Sequence, residues 1–317
     1  MSVLTVPNRW GRKVKPARRG VQPARPSRSI RAGEVEEAVS TVSSALTIVA
    51  VLCGWMLLQL LVLGNVSQER SQHLLYGELR RELAAATAPT GALDFEGKPV
   101  QPGAPVALIR IPKLNKAQVV VSGTASGDLM AGPGHLRSTP LPGQAGQSVV
   151  MGRGRTYGAP FRDLGLLSVG DPITVQNASG AVTYKVTAIR RAGDPVTPFT
   201  ASGTKGRLTL VTAEGSGFLS ALRSRTVLYV DAETQQATPA GPVPQAVPAS
   251  ELTMARDSAA LPTLVLLLAG AIALVLGVTL ARRRLRGVLV WTAAVPLAVA
   301  LAWATTDQVV RLLPNLM

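Results

Sequence analysis

A mainly β domain held outside a membrane by three transmembrane α-helices is the architecture predicted for this 317-residue chain. Three observations predict it. Long apolar runs carry no charge, basic clusters flank those runs, and short β-branched segments separated by turn residues fill the stretch between them. A net charge of +15 would suit nucleic acid, but its placement excludes that partner. Nine Arg and Lys with no acid occupy residues 1–33, four more Arg fall within residues 282–286, and aromatics at 4% are thin for stacking on bases.

The elements follow in chain order. Residues 1–37 read as a basic, Pro-rich, disordered cytoplasmic tail. Residues 38–66 read as the first membrane helix: no charge stands between Glu37 and Glu69, and sixteen of the twenty residues in Ser44–Leu63 are apolar. That run is longer than the ~7–15-residue apolar region of a signal peptide, which favours an uncleaved anchor. Residues 259–281 supply a second span, charge-free from Ala259 to Leu280, and residues 287–304 a third, with Trp291 and Trp303 near its ends and a kink predicted at Pro296. The positive-inside bias places residues 1–37 and the basic loop 282–286 in the cytoplasm. Residues ~66–258 and a tail, 305–317, then lie outside a plasma membrane crossed more than once.

The outer region begins with a helical stalk and spacer, residues 67–103. Leu74, Leu75, Leu79 and Leu83 give Ser67–Ala86 a near-helical apolar spacing, and residues 87–104 are rich in Pro, Gly and Ala. Residues 104–234 contain seven strand-like runs: Ala107–Ile111, Gln118–Val121, Gln147–Met151, Ile173–Gln176, Val182–Ile189, Arg207–Thr212 and Thr226–Val230. Val182–Ile189 alternates apolar and polar. Seven short strands with no helix-length pattern between them predict a closed barrel or a sandwich. Residues 235–258, rich in Pro and Ala, read as a linker back to the membrane.

Few side chains offer chemistry. The single cysteine, Cys53, falls in the first apolar run, so the outer domain has neither thiol nor disulfide. Two histidines, His73 in the stalk and His135 in a Gly-Pro-Gly-His-Leu loop, cannot supply the three or four ligands of a zinc site, and no metal or cofactor is expected. Each reads as a surface or hydrogen-bonded residue. The stretch Gly152–Gly158 looks like a phosphate-cradling loop, yet Pro160 and turn-like sequence follow it where a helix would be needed. The acids Asp128, Asp163, Asp171, Asp194 and Glu214 are scattered through loops. Gly270 and Gly277 share one face of the second span, where a neighbouring helix could approach.

The β region resembles the sortase family, the membrane-anchored cysteine transpeptidases of Gram-positive bacteria. Leu108–Leu114 is similar to the family's opening strand. Gly132–Leu136 and Thr139–Gly146 resemble its Gly-His and Pro-Gly-x-x-Gly stretch. Met151–Phe161 resembles the loop after its central strand, Gly170–Val175 its Gly-Asp turn, and Leu208–Thr212 the strand that leads to the nucleophile. These pieces stand in the family's order over about residues 104–234 and look closest to actinobacterial class E members. The resemblance implies a closed β-barrel of about eight strands.

It also implies a site, and the chain departs from it. The family uses a Cys nucleophile, a His acid and an Arg that binds substrate or oxyanion. The histidine position falls on Arg153 and the cysteine position on Ala213. The arginine position falls on Arg225, with Arg223 as the alternative. The resemblance thus points to a degenerate, catalytically inactive member whose groove, lined by Arg153, Tyr157, Phe161, Thr212 and Arg225, binds an extended peptide, a cell-wall sorting signal, or a membrane or active-sortase partner. Opposing readings leave Arg153 facing solvent and Tyr157 and Phe161 packing their own loop. Other readings give the work to a replacement nucleophile, Thr212 or Ser216 activated by Lys205, or make the chain a structural membrane-assembly subunit.

Overall fold

The structure, a computed structural model, describes residues 43, 46, 50, 51, 53–214, 226–244, 246–284 and 287–317. The basic tail, most of the first apolar run, and Ser216, Arg223 and Arg225 lie outside the described residues.

Eight strands close into a barrel: β1 (Pro105–Ile111), β2 (Lys116–Ser122), β3 (Gly134–His135), β4 (Gly146–Met151), β5 (Pro172–Asn177), β6 (Gly180–Arg191), β7 (Gly206–Ala213) and β8 (Val227–Thr234). Round the barrel the order is β1-β2-β3-β4-β7-β8-β6-β5, and β5 returns to β1. All seven strand-like runs of the sequence are strands. The eighth, β3, is two residues long and has no periodicity to detect; its position between β2 and β4 makes it visible only in the fold.

Local chemistry explains the connections. Asn115, at φ 49°, turns β1 back on β2 through the left-handed region that Asn tolerates. Between β5 and β6 the Asn177 side chain accepts from Ser179 N at 2.8 Å, an Asx turn that closes the hairpin. β6 keeps its predicted alternation: Val182, Tyr184 and Val186 are buried, and Thr183, Lys185 and Thr187 face out. The inward residues join Ile109, Ile111, Ile173, Val175, Leu208, Leu210 and Val230 in one core. β4 and β7 run parallel in register, Met151 opposite Val211, so the loops that leave both strands emerge side by side at one barrel end.

Helical residues 53–58 and a π-helical turn, Gln59–Leu63, continue without a break into α1 (Gly64–Ala84). Leu75 and Leu79 seat α1 on Leu108, Val119 and Val121, with Leu83 beside them. Leu74 points outward instead. Gln72 fixes the register: its amide accepts from Val119 N at 2.7 Å and donates to Ala131 O at 2.8 Å.

Two helices, not the expected three, are long and apolar enough to cross a membrane among the described residues: α2 (Leu261–Ala281) and α3 (Gly287–Arg311). The described part of the first apolar run is short and leads into α1, whose Glu69, Arg70, Arg80 and Arg81 end any membrane-compatible stretch. α3 passes through Pro296 as one continuous helix and packs along α2, where a side chain at Gly270 would touch Leu301 at 3.6 Å; around Gly277 there is open space.

The segments read as a linker, 235–258, and a tail, 305–317, both pack against the barrel. Within 235–258, Ala237 and Glu251 are buried, and Thr238 bridges to the loop before β4, its N donating to Gly143 O at 3.0 Å and its O accepting from Ala145 N at 2.7 Å. Within 305–317, α3 keeps its helix to Arg311, and Asn315, Leu316 and Met317 are buried.

Candidate functional site

The parallel ends of β4 and β7 define the site. Gly152 N extends the ladder by donating to Val211 O at 2.9 Å, so Arg153 follows β4 at the level where Ala213 ends β7. A Cβ on Gly154 would lie 2.6 Å from Ala213 O and 3.0 Å from Thr212 Oγ1. Only glycine allows the two loops to approach that closely. The next residues are strained: Tyr157 at φ 50° and Ala159 at φ 41° flank Gly158 at φ 73°. Left-handed backbone at a bulky residue costs about 1–3 kcal/mol and tends to collect at functional sites.

Arg153 is 1% exposed, which overturns the reading that it faces solvent. Its Nη2 donates to Ser126 O and Ser126 Oγ, both at 2.8 Å, and its Nη1 donates to Thr156 Oγ1 at 3.1 Å and to the main-chain oxygen of Met317 at 3.4 Å. Its plane lies over the Tyr157 ring, 5.3 Å from the centroid. Among the described residues Arg153 Nε has no hydrogen-bond partner, and neither does Thr212 Oγ1 nearby. Burial pushes the guanidinium down to about 10, with Tyr157 opposing the shift. It therefore still carries its charge at neutral pH.

Of the residues predicted to line the groove, the structure unites Arg153, Tyr157 and Thr212. Phe161 does not line it. Its ring fills the barrel core beside Gly152, where a Cβ would meet the ring at 2.5 Å. Lys205 is also misplaced as an activating base: it precedes β7 while Thr212 lies near the other end, about 23 Å away along the strand. It is engaged there with Glu233, at 3.5 Å, and with the Phe199 ring. His135 is the hydrogen-bonded residue expected of it, with Nε2 2.9 Å from Pro140 O and 3.1 Å from Thr139 Oγ1, and His73 is exposed. Burial holds the His135 ring down at about 4. No helix follows Gly152–Gly158, so the phosphate-loop reading stays excluded.

The other half of the site comes from residues that no sequence pattern singled out. Tyr157 OH donates to Asp307 Oδ1 at 2.8 Å, which also accepts from Gln59 Nε2 at 3.2 Å, and Trp55 Nε1 donates to Thr306 Oγ1 at 3.0 Å. Burial raises the Tyr157 phenol, and Asp307 raises it further. After α3 the chain turns back across the site. Leu316 is fully buried in a pocket of Leu129, Met151, Val211 and Val227. Its carbonyl accepts from Gly154 N at 3.1 Å, and Met317 O accepts from Thr156 Oγ1 at 2.6 Å. Asn315 Nδ2 donates to Thr124 O at 2.8 Å and Leu252 O at 3.0 Å. One sequence signal could have drawn attention here: Asp307 is a lone acid in an otherwise apolar segment, where a charge needs a reason.

A third group lies beside these. Arg137 pairs with buried Glu251, and the Glu251 charge, after burial itself, helps raise Asp128 to about 6. Among the described residues no set of His, Cys, Asp and Glu could hold a metal ion.

Comparison with known proteins matches residues 109–232 to the sortase domain family. Sortase D of Bacillus subtilis (strain 168) is 28% identical over 123 residues, which are 38% of this chain and 61% of that protein. The chain therefore spans less than two thirds of that relative's length. Among solved structures, a sortase D5 transpeptidase of Clostridium perfringens has a TM-score of 0.40 at 19% identity, covering 53% of this chain and 98% of that one. The SrtF sortase from Corynebacterium diphtheriae scores 0.37 at 25% identity, covering 48% and 93%. Sortase C of Clostridium perfringens with the C-terminal cell wall sorting motif scores 0.37 at 23% identity, covering 52% and 87%.

Proposed function

We propose that this chain, which belongs to the sortase family through its barrel, is a catalytically silent member whose barrel end binds an extended peptide or a partner at the cell envelope. One observation carries the reading. The ends of β4 and β7, aligned in register, present Arg153 and Ala213, and the chain's single cysteine is Cys53, outside the barrel. Alanine has no nucleophile, and an arginine that holds its proton at neutral pH cannot serve as the acid that alternately gives and regains it.

What remains is recognition. A buried, charged guanidinium with an unused Nε, next to an unused hydroxyl at Thr212, suits the carbonyl and carboxylate oxygens of a peptide. The sorting-motif complex of the clostridial sortase C gives the ligand class to try first. The two apolar helices α2 and α3 support membrane anchorage, and the basic clusters support an orientation with residues ~66–258 outside the plasma membrane of a Gram-positive, actinobacterial-type cell.

The test uses the full chain in lipid nanodiscs, a cell-wall sorting peptide and an amine acceptor, with calorimetry for binding and mass spectrometry for products. Binding without any product, weakened at least tenfold by Arg153→Ala, is the expected result. A cleaved or transferred product that disappears in Thr212→Ala would overturn the assignment and identify a replacement nucleophile.

A further inference from the structure

We infer that the barrel end is a peptide-binding cleft already occupied by the chain's own residues 315–317, which an incoming ligand must displace. This rests on the proposed binding role and names both the ligand chemistry and its competitor.

The grip on the segment is the grip of a cleft on a peptide. Main-chain atoms carry most of it: Gly154 N to Leu316 O, and Thr156 Oγ1 and Arg153 Nη1 to Met317 O. One side chain is selected, Leu316, which is fully buried among Leu129, Met151, Val211 and Val227. The preferred ligand is accordingly an extended peptide. It has a branched apolar side chain, and the next residue's main-chain oxygen reaches Arg153 and Thr156.

The fit is incomplete, and the shortfall is concentrated here. Of the eight buried side-chain atoms without a hydrogen-bond partner among the described residues, three belong to this contact: Arg153 Nε, Thr212 Oγ1 and Asn315 Oδ1. A segment that leaves two cleft donors unused is a replaceable occupant, because a better-matched peptide gains what the resident forgoes. The segment also hangs from α3 by one turn, Leu312 N to Val309 O and Leu313 N to Val310 O. Fraying that turn releases the segment while leaving the barrel ladder intact.

A resident occupant lowers apparent affinity by the fraction of molecules with the cleft open. The probe is a fluorescent, amidated peptide with the sequence of residues 312–317, titrated onto full-length protein in nanodiscs. Leu316→Asp places a charge in the apolar pocket and expels the segment. A chain ending at Pro314 opens the cleft by a second route, should Leu316→Asp misfold. Both are expected to bind the probe at least tenfold more tightly than the parent chain, and adding Arg153→Ala to either should return the affinity to the parent level or below. Equal affinity in parent and opened chains overturns the inference, and so does absence of binding to opened chains that retain the parent's circular dichroism. A sorting peptide run in parallel separates the two readings. Opened chains that bind the 312–317 probe but no sorting peptide sustain the resident segment and remove the sorting-signal ligand. The converse result removes the resident segment and keeps the ligand.

Discussion

Two arginines in this barrel are equally buried, at 1% exposure each, and are treated in opposite ways. Arg207, on β7, donates through Nε and Nη2 to Glu233 at 3.0 and 2.6 Å, to Thr197 O at 2.7 Å and to Pro198 O at 3.3 Å, and it stacks on Phe199 at 4.7 Å. Arg153, beyond the end of β4, donates to hydroxyl and main-chain oxygens, lies 5.3 Å from the Tyr157 ring centroid, and among the described residues pairs with no Asp or Glu side chain and keeps Nε unused. Removing a charge from water costs several kcal/mol, which a close opposite charge with full hydrogen bonding can repay. Arg207 has that repayment and Arg153 does not. The first belongs to the fold. The second is a cost the fold carries for another reason, and such residues are where function is sought.

The largest expected effect lies at Arg207. Arg207→Ala leaves Glu233 with only the longer Lys205 contact, at 3.5 Å, and leaves the Thr197 and Pro198 carbonyls without the guanidinium. The loss should be about 3–5 kcal/mol in chemical denaturation of the full chain in detergent micelles. A loss below about 1 kcal/mol would break the contrast at its firm end, because it would make Glu233 and the 197–198 carbonyls content without the guanidinium.

His135 sharpens the comparison with a cation that can be discharged. It is fully buried, like both arginines, but its folded value near 4 leaves the ring neutral at pH 7. The folded state thus binds the proton less readily than the unfolded chain, whose His titrates near 6.5. Its contribution is fully present above about 6.5 and is lost as pH falls through about 4, to a limit of about 3 kcal/mol. Asp128 works the other way: its raised value, near 6, lends stability on acidification below about 6. The clean observable is therefore the difference between parent and His135→Gln, in which Asp128 cancels and the glutamine amide still donates to Pro140 O. That difference should shift against the parent by up to about 3 kcal/mol between pH 7 and pH 4. A flat difference would show that the ring is solvated in the fold.

How legible each part was follows from the range of its interactions. The barrel is visible in the sequence because its strands carry their own signature: β6 alternates, and β7, buried on both faces, gathers Leu208, Leu210 and Val211 among its few polar residues. β3 carries none, since two residues cannot show a period. Arg153 and Ala213 were located through the family resemblance and come together because β4 and β7 are parallel, a long-range fact that no local pattern encodes. Tyr157 lies against Arg153, whereas Phe161 packs in the barrel core, because an aromatic in a loop reads the same in sequence wherever it comes to face. The partners Ser126, Thr156, Asp307 and Leu316 were missed altogether. Ser126 and Thr156 sit in loops whose small hydroxyl side chains carry no local signal, and Asp307 and Leu316 reach the site only because the chain returns to the barrel end after α3.

The smallest effect is expected where the contrast is most exposed to refutation. Arg153→Met keeps much of the side-chain volume, removes an unpaired buried charge and leaves behind neutral acceptors. Ser126 Oγ and Thr156 Oγ1 can turn elsewhere, since Ser126 Oγ already donates to Val310 O at 3.2 Å and Thr156 Oγ1 to Met317 O at 2.6 Å. Replacing buried ionic groups by apolar ones of like volume is often neutral or stabilising. The change in unfolding free energy should therefore stay within about 1 kcal/mol of zero, in either direction, while peptide affinity of an opened chain falls at least tenfold. The split between the two readouts is the point. A loss of stability as large as that of Arg207→Ala would put Arg153 among the residues that hold the barrel together, and unchanged peptide affinity would leave its buried charge without a use.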